Sequence, residues 1–265
     1  MSTITSLTAE TCSVQIENGE LISFLSDGKE YVHQKGNPGW RKSDDEMFPV
    51  IGPTEKNNFI VHTKRGDGVQ DQHGLLRELN YEQVQVSNKK SIYKKTYQAE
   101  SLIKNSKFPD KSSQEFLHWP FDFEFYKSFT LSENELQIRF TIFSDQGMPF
   151  MLGYHPAFLL SGDEHEIIQS GSNSINLQQV YEVGSNAFPV LDINTIRLKH
   201  NDKKDVVLET KGFDNFMLWT EVPNMICIEP ISQYTSYTDQ IFSEKNMQIS
   251  SGKEVFTCTI KLADE

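Results

Sequence analysis

Short runs in which apolar and polar residues alternate dominate the chain, and turn-forming residues punctuate them. Ser13-Val14-Gln15-Ile16-Glu17, Glu20-Leu21-Ile22-Ser23-Phe24-Leu25 and Glu30-Tyr31-Val32-His33 are separated by Asn18-Gly19 and Asp27-Gly28. Both dipeptides adopt positive φ at low cost, so the segment predicts a meander of short antiparallel strands. Alternation returns from Leu79 to Val86 and from Ser91 to Ile103, across the polar break Ser87-Asn88-Lys89-Lys90. It is strongest in Phe121-Asp122-Phe123-Glu124-Phe125 and in Leu136 to Ile142, with Ser132-Glu133-Asn134 between them, which predicts a long hairpin buried on one face. Further short runs follow at Val206-Val207-Leu208, Phe216 to Trp219, Met225 to Ile228 and Val255 to Leu262. No segment carries a sustained 3.6-residue stripe with caps at both ends, so helix is expected to be minor. Many strands joined by turns predict an all-β class, a large antiparallel β-sandwich, and without a linker or repeat the chain reads as a single domain over 1–265.

Composition narrows the function. Of 265 residues, 25 are Lys or Arg and 37 Asp or Glu, a net charge of −12 that repels phosphate backbones, and no basic run offsets it. Nucleic-acid binding is not expected. The N-terminus lacks a signal-peptide pattern and no apolar stretch is long enough to span a membrane, so the expected location is the cytoplasm. Cys12, Cys227 and Cys258 are far apart and form no zinc-cluster spacing; they are expected to be buried thiols in a reducing compartment.

No phosphate loop, HExxH or GxSxG is present, so chemistry must come from polar residues in unusual settings. His73 precedes Gly74, where backbone can approach a ligand, and Arg77 lies four residues on; a turn histidine with a surface arginine fits the same pattern. His155 is enclosed by Tyr154, Pro156 and Phe158, a setting for a partly buried imidazole or for a satisfied structural one. Glu254 follows the Gly252-Lys253 turn and opens the last apolar strand, a position that an ordinary solvated Glu also occupies.

Taken together these pieces resemble the aldose 1-epimerase (galactose mutarotase-like) family, most closely its LacX-like branch. Met47-Phe48-Pro49-Val50-Ile51-Gly52, Gln72-His73-Gly74 with Arg77, Gly153 to Phe158, Ile226-Cys227-Ile228-Glu229-Pro230 and Gly252-Lys253-Glu254 occur in the family's order. The resemblance implies a galactose mutarotase-like sandwich with a carbohydrate cleft, and interconversion of the α and β anomers of an aldose without metal or organic cofactor. By motif position His155 looks like the general acid, Glu254 the general base and His73 a second imidazole that polarises the ring oxygen. Arg77, Gln72 and Asp214 look like substrate-binding residues, although Asp214 also fits an Asx turn. The partner implied is a small aldose, bound by a monomer or weak homodimer. Ring opening requires such a set, because one group must remove the anomeric hydroxyl proton while another protonates the ring oxygen.

Two departures bear on the substrate. Pro53 stands where relatives usually carry Arg, and Ile231 where they carry Trp. The missing Arg weighs against a hexose 6-phosphate unless Arg41 and Lys42 compensate. A non-catalytic carbohydrate-binding protein on the same fold is the competing expectation.

Overall fold

The computed structural model describes residues 4–162, 164–234 and 242–264. Among them period-two burial is the organising rule. In the strand Phe123–Ser132 the odd-numbered side chains from Phe123 to Leu131 are buried, and in Glu135–Ser144 so are Leu136, Ile138, Phe140 and Ile142. The two strands pair without a register shift from Phe123↔Ser144 to Ser132↔Glu135, as the alternating sequence predicts.

This hairpin lies within a nine-stranded antiparallel sheet, in the order Asn173–Asn176, Ile167–Ser170, Thr195–Lys199, Asp205–Lys211, Lys253–Ala263, Glu135–Ser144, Phe123–Ser132, Lys90–Tyr97 and Glu82–Val86. A smaller sheet runs Phe188–Val190, Asn215–Trp219, Met225–Ile231, Gly153–Tyr154 and Glu46–Met47, with Ala157–Leu159 pairing off Met225–Ile231. The inner faces meet in one contiguous hydrophobic core. Phe140 of the large sheet lies 5.2 Å, ring to ring, from Tyr154 of the small one, and Phe125 lies 5.6 Å from Phe48. Each such fully buried aromatic is worth about 1.5–3 kcal/mol in transfer energy, which drives the two layers together.

The N-terminal meander forms as expected, and its turns sit at positive φ: 51° at Asn18, 82° at Gly19, 51° at Asp27 and 76° at Gly28. Two expected strands are shorter. The strand expected from Leu79 begins only at Glu82, and all five of its residues are exposed, so its alternation marks a solvated edge rather than a buried face. The strand expected to reach Ile103 ends at Tyr97, because the chain turns at Glu100, where φ is 62°. Helix is minor among the described residues; Leu177–Tyr181 is one turn, started by a capping box between Asn176 and Gln179. No helix among the described residues is long and apolar enough to cross a membrane. The three cysteines are free and buried.

For function the decisive element is Met225–Ile231, in which all seven residues are buried. Alternate residues of a strand face opposite ways. Ile226 and Ile228 join the main core, while Met225 and Cys227 join a separate small cluster with Ala157, flanked by Trp40 and Trp219. Glu229 belongs to this second, odd-numbered face. A cavity opens above it.

Candidate active site

The cavity has a volume of about 560 Å³, and Glu229, His155, His73, Gln72, Arg77, Trp40 and Trp219 are among its walls. That size falls in the range of small-molecule sites. Glu229 projects from the middle of the small sheet, opposite Met217 in the ladder, and Met217 also lines the cavity. His155 follows the short strand Gly153–Tyr154, and its Nε2 lies 3.3 Å from Glu229 Oε1. Its backbone is clamped in both directions: His155 N–H donates to the Asp45 carbonyl at 2.8 Å, and Asp45 N–H donates to the His155 carbonyl at 3.2 Å. The Trp40 indole stacks on the imidazole with centroids 4.2 Å apart, and Trp219 meets it edge-on at 6.4 Å.

His73 sits at the apex of a loop at φ 69°. The backbone does approach closely here, but the neighbour is the chain itself: a Cβ on Gly74 would lie 2.2 Å from the Phe48 carbonyl oxygen. Phe48 N–H donates to the His73 carbonyl at 3.1 Å, and Gly52 N–H donates to His73 Nδ1 at 3.1 Å. With Nδ1 an acceptor, the proton of neutral His73 resides on Nε2, which makes that nitrogen a donor. The two imidazoles lie 5.9 Å apart, centroid to centroid. Beside them, Lys107 donates to the Gln72 carbonyl at 3.0 Å and pairs with Asp71 at 3.4 Å, which fastens the loop.

Arg77 projects from the turn Leu75–Glu78 and pairs with Asp45 Oδ2 at 3.0 Å; Lys42 reaches the same oxygen at 2.6 Å. Asp45 thereby fixes a guanidinium by its side chain and the His155 backbone by its main chain.

Electrostatics separate these groups sharply. Burial pushes the Glu229 carboxyl up to about 8, with Arg77 opposing only in part. Burial, reinforced by Arg77, pulls His155 down to about 3. His73 is held well below the usual imidazole range by burial and then by Arg77. For Asp45 burial acts upward, but Arg77 and Lys42 outweigh it and leave the carboxyl below its ordinary range. At neutral pH the free site therefore holds a protonated Glu229 beside a neutral His155.

The six expected site residues fall in different places. His155, His73, Arg77 and Gln72 converge on the cavity. Glu254 does not line it. It lies in the large sheet opposite Ile142, and its carboxylate accepts hydrogen bonds from Ser251 N–H at 2.7 Å and Ser251 Oγ at 2.8 Å, so it closes a turn. The Gly-Lys turn before it explains why the sequence there looks like a site. Asp214 is exposed in the turn before Asn215–Trp219 and does not line the cavity either.

Sequence reasoning passed over Glu229, although it stands in a quoted motif; a lone carboxylate within Met225-Ile226-Cys227-Ile228-Glu229-Pro230-Ile231 was the available signal. It also passed over Trp40 and Trp219, which form the aromatic wall that Ile231 does not. Arg41, Lys107 and Lys111 also line the cavity, as Pro53 does not.

A model of the aldose 1-epimerase family matches residues 54–252. No curated protein sequence matches the chain significantly. Among solved structures, a galactose mutarotase related enzyme from Lactobacillus acidophilus superposes with a TM-score of 0.77 at 18% identity, covering 99% of this chain and 98% of that one. A galactose mutarotase-like protein from Lactobacillus casei gives 0.79 at 16%, covering 98% and 100%. An aldose epimerase homologue from C. elegans gives 0.69 at 9%, covering 100% and 99%. At these identities the likeness establishes the sandwich fold.

Proposed function

We propose that this chain, which belongs to the aldose 1-epimerase family, interconverts the anomers of a hexose by acid–base ring opening, with Glu229 rather than Glu254 as the carboxylate. The observation that carries this reading is the 3.3 Å contact between His155 Nε2 and Glu229 Oε1 on the wall of the cavity. Together the two groups hold one exchangeable proton. In the free site it rests on Glu229; transfer across the contact gives a carboxylate beside an imidazolium. In that placement Glu229 removes the proton of the anomeric hydroxyl while His155 protonates the ring oxygen, and the ring opens to the aldehyde. Rotation about C1–C2 turns the other carbonyl face, and reclosure returns each proton along the same path. Every turnover passes through both proton placements, so protonated Glu229 in the free site is a resting state of the cycle.

His73 Nε2–H and Arg77 supply donors for sugar oxygens, and Trp40 and Trp219 supply apolar faces for the ring. Acid and base contributions of about 10²- to 10⁴-fold each are enough for a reaction that already proceeds in water. Exchange between α and β resonances of glucose or galactose, followed by NMR, tests the proposal. A wild-type rate above buffer supports it; sugar binding with no acceleration of exchange would leave a carbohydrate-binding protein instead.

One observation favours an anionic sugar as a second reading. Arg41, Arg77, Lys107 and Lys111 line the same cavity. Comparing kcat/KM for a hexose and its 6-phosphate distinguishes the two, since a phosphate preference should weaken as salt rises.

A further inference from the structure

The acid–base scheme leaves one buried nucleophile beside the His155–Glu229 pair unused. Cys227 stands two residues before Glu229 on the same face of Met225–Ile231, and among the described residues its thiol makes no hydrogen bond. Its surroundings are Ala157, Met225 and the two tryptophans. One donor atom each from His155, Cys227 and Glu229 lie within 4.8 Å of one another, and all three residues are buried. His155 Nδ1 also lacks a hydrogen-bond partner among the described residues.

We propose that His155, Cys227 and Glu229 form a binding site for a divalent transition-metal ion, Zn²⁺ by its donor chemistry, and that its occupation switches off anomer exchange. Nitrogen, thiolate and carboxylate suit Zn²⁺, whereas Mg²⁺ and Ca²⁺ take oxygen donors. The geometry agrees. A tetrahedron with bonds of about 2.0 Å has edges of about 3.3 Å, which is the separation of His155 Nε2 and Glu229 Oε1, 3.3 Å. The thiolate bond is longer, about 2.3 Å, and a small movement of the Cys227 side chain toward the other two donors completes the third corner. The fourth corner faces the cavity, where a water or a sugar hydroxyl can sit.

Binding involves no redox change: Zn²⁺ forms bonds to nitrogen, sulfur and oxygen, and the protons of the Cys227 thiol and the Glu229 carboxyl pass to solvent. Inhibition, unlike binding, rests on the proposed function, because the ion consumes both lone pairs that the proton shuttle needs.

The full chain, stripped of metal with chelator, is titrated with Co²⁺ and then Zn²⁺. A stoichiometric Co²⁺ complex with a thiolate-to-metal charge-transfer band and intense tetrahedral d–d bands is expected, and Zn²⁺ should abolish both. C227S should lose the charge-transfer band and bind at least about tenfold more weakly, while C12S keeps the wild-type spectrum. In the exchange assay, C227S should turn over at the wild-type rate yet resist Zn²⁺ concentrations that silence the parent. No thiolate band at stoichiometric Co²⁺, or a C227S spectrum and affinity equal to wild type, would overturn the site. A normal Co²⁺ spectrum in a protein with no exchange activity would leave the site standing and remove the proposed function. C227A, with circular dichroism as a check on folding, guards against a local disturbance by serine.

Discussion

Two sets of ionisable groups are buried on either side of the strand Glu46–Met47 and the residues before it, and they are treated in opposite ways. On one side Lys127, fully buried in the large sheet, meets Asp44 at 2.7 Å and Glu46 at 2.6 Å, and Tyr154 donates its hydroxyl to Asp44 at 2.8 Å. Burial alone would pull the ammonium down; the two carboxylates outweigh it and keep it charged. On the other side Glu229 and His155 face each other with only partial counterweights, Arg77 against the burial of Glu229 and Asp45 against the burial of His155. Similar burial thus leaves a charged lysine between two carboxylates in one place, with Asp44 itself pushed up to about 7 by burial, and a protonated carboxyl beside a neutral imidazole in the other. A direct lysine counter-charge, absent from the Glu229–His155 contact, distinguishes the ion cluster from the proposed reactive pair.

Substitutions can break this contrast from either side. The largest effect is expected at Glu229: E229Q should slow anomer exchange by about 10²- to 10⁴-fold and show no loss of stability in urea denaturation at neutral pH, because the native carboxyl must take up a proton that the unfolded chain lacks there and glutamine need not. K127M should do the reverse. It strands two buried carboxylates, so denaturation should show a loss of about 3–5 kcal/mol, while any molecules that remain folded retain their exchange rate per site. D45N joins the two regions and is expected to fall between them. Loss of the charge that holds Arg77 should raise KM about tenfold with kcat little altered, and steady-state kinetics on both sugar anomers checks the split. The smallest effect belongs to Glu254: E254Q should change exchange by less than about twofold, as for a surface substitution. A hundredfold loss there would restore it as the base and remove Glu229.

These contrasts also mark what the sequence could disclose. The Asn18-Gly19 and Asp27-Gly28 turns and the Phe123 to Ser144 hairpin were legible because local chemistry and one-sided burial decide them. His73, Gln72, Arg77 and His155 were legible as candidates because each has unusual neighbours. Glu229 was not, since a strand covered on both faces loses the alternation that tells one face from the other. Glu254 looked suitable because a turn-closing carboxylate and a catalytic one follow the same local pattern. Trp40 and Trp219 come to His155 from distant parts of the chain, and only the packing of the small sheet brings them together.

That buried strand, Met225–Ile231, has a consequence for how the chain can change over generations. Ile226 and Ile228 answer to the main core, Met225 and Cys227 to the small cluster, and Glu229 to the cavity. On the proposed function, the neighbouring codons for Ile228 and Glu229 are under different kinds of selection, one for folding yield and the other for turnover. A saturation library across the strand should sort into two interleaved classes with a period of two: variants at Ile226 and Ile228 rescued by a stabilised background, and variants at Glu229 beyond such rescue.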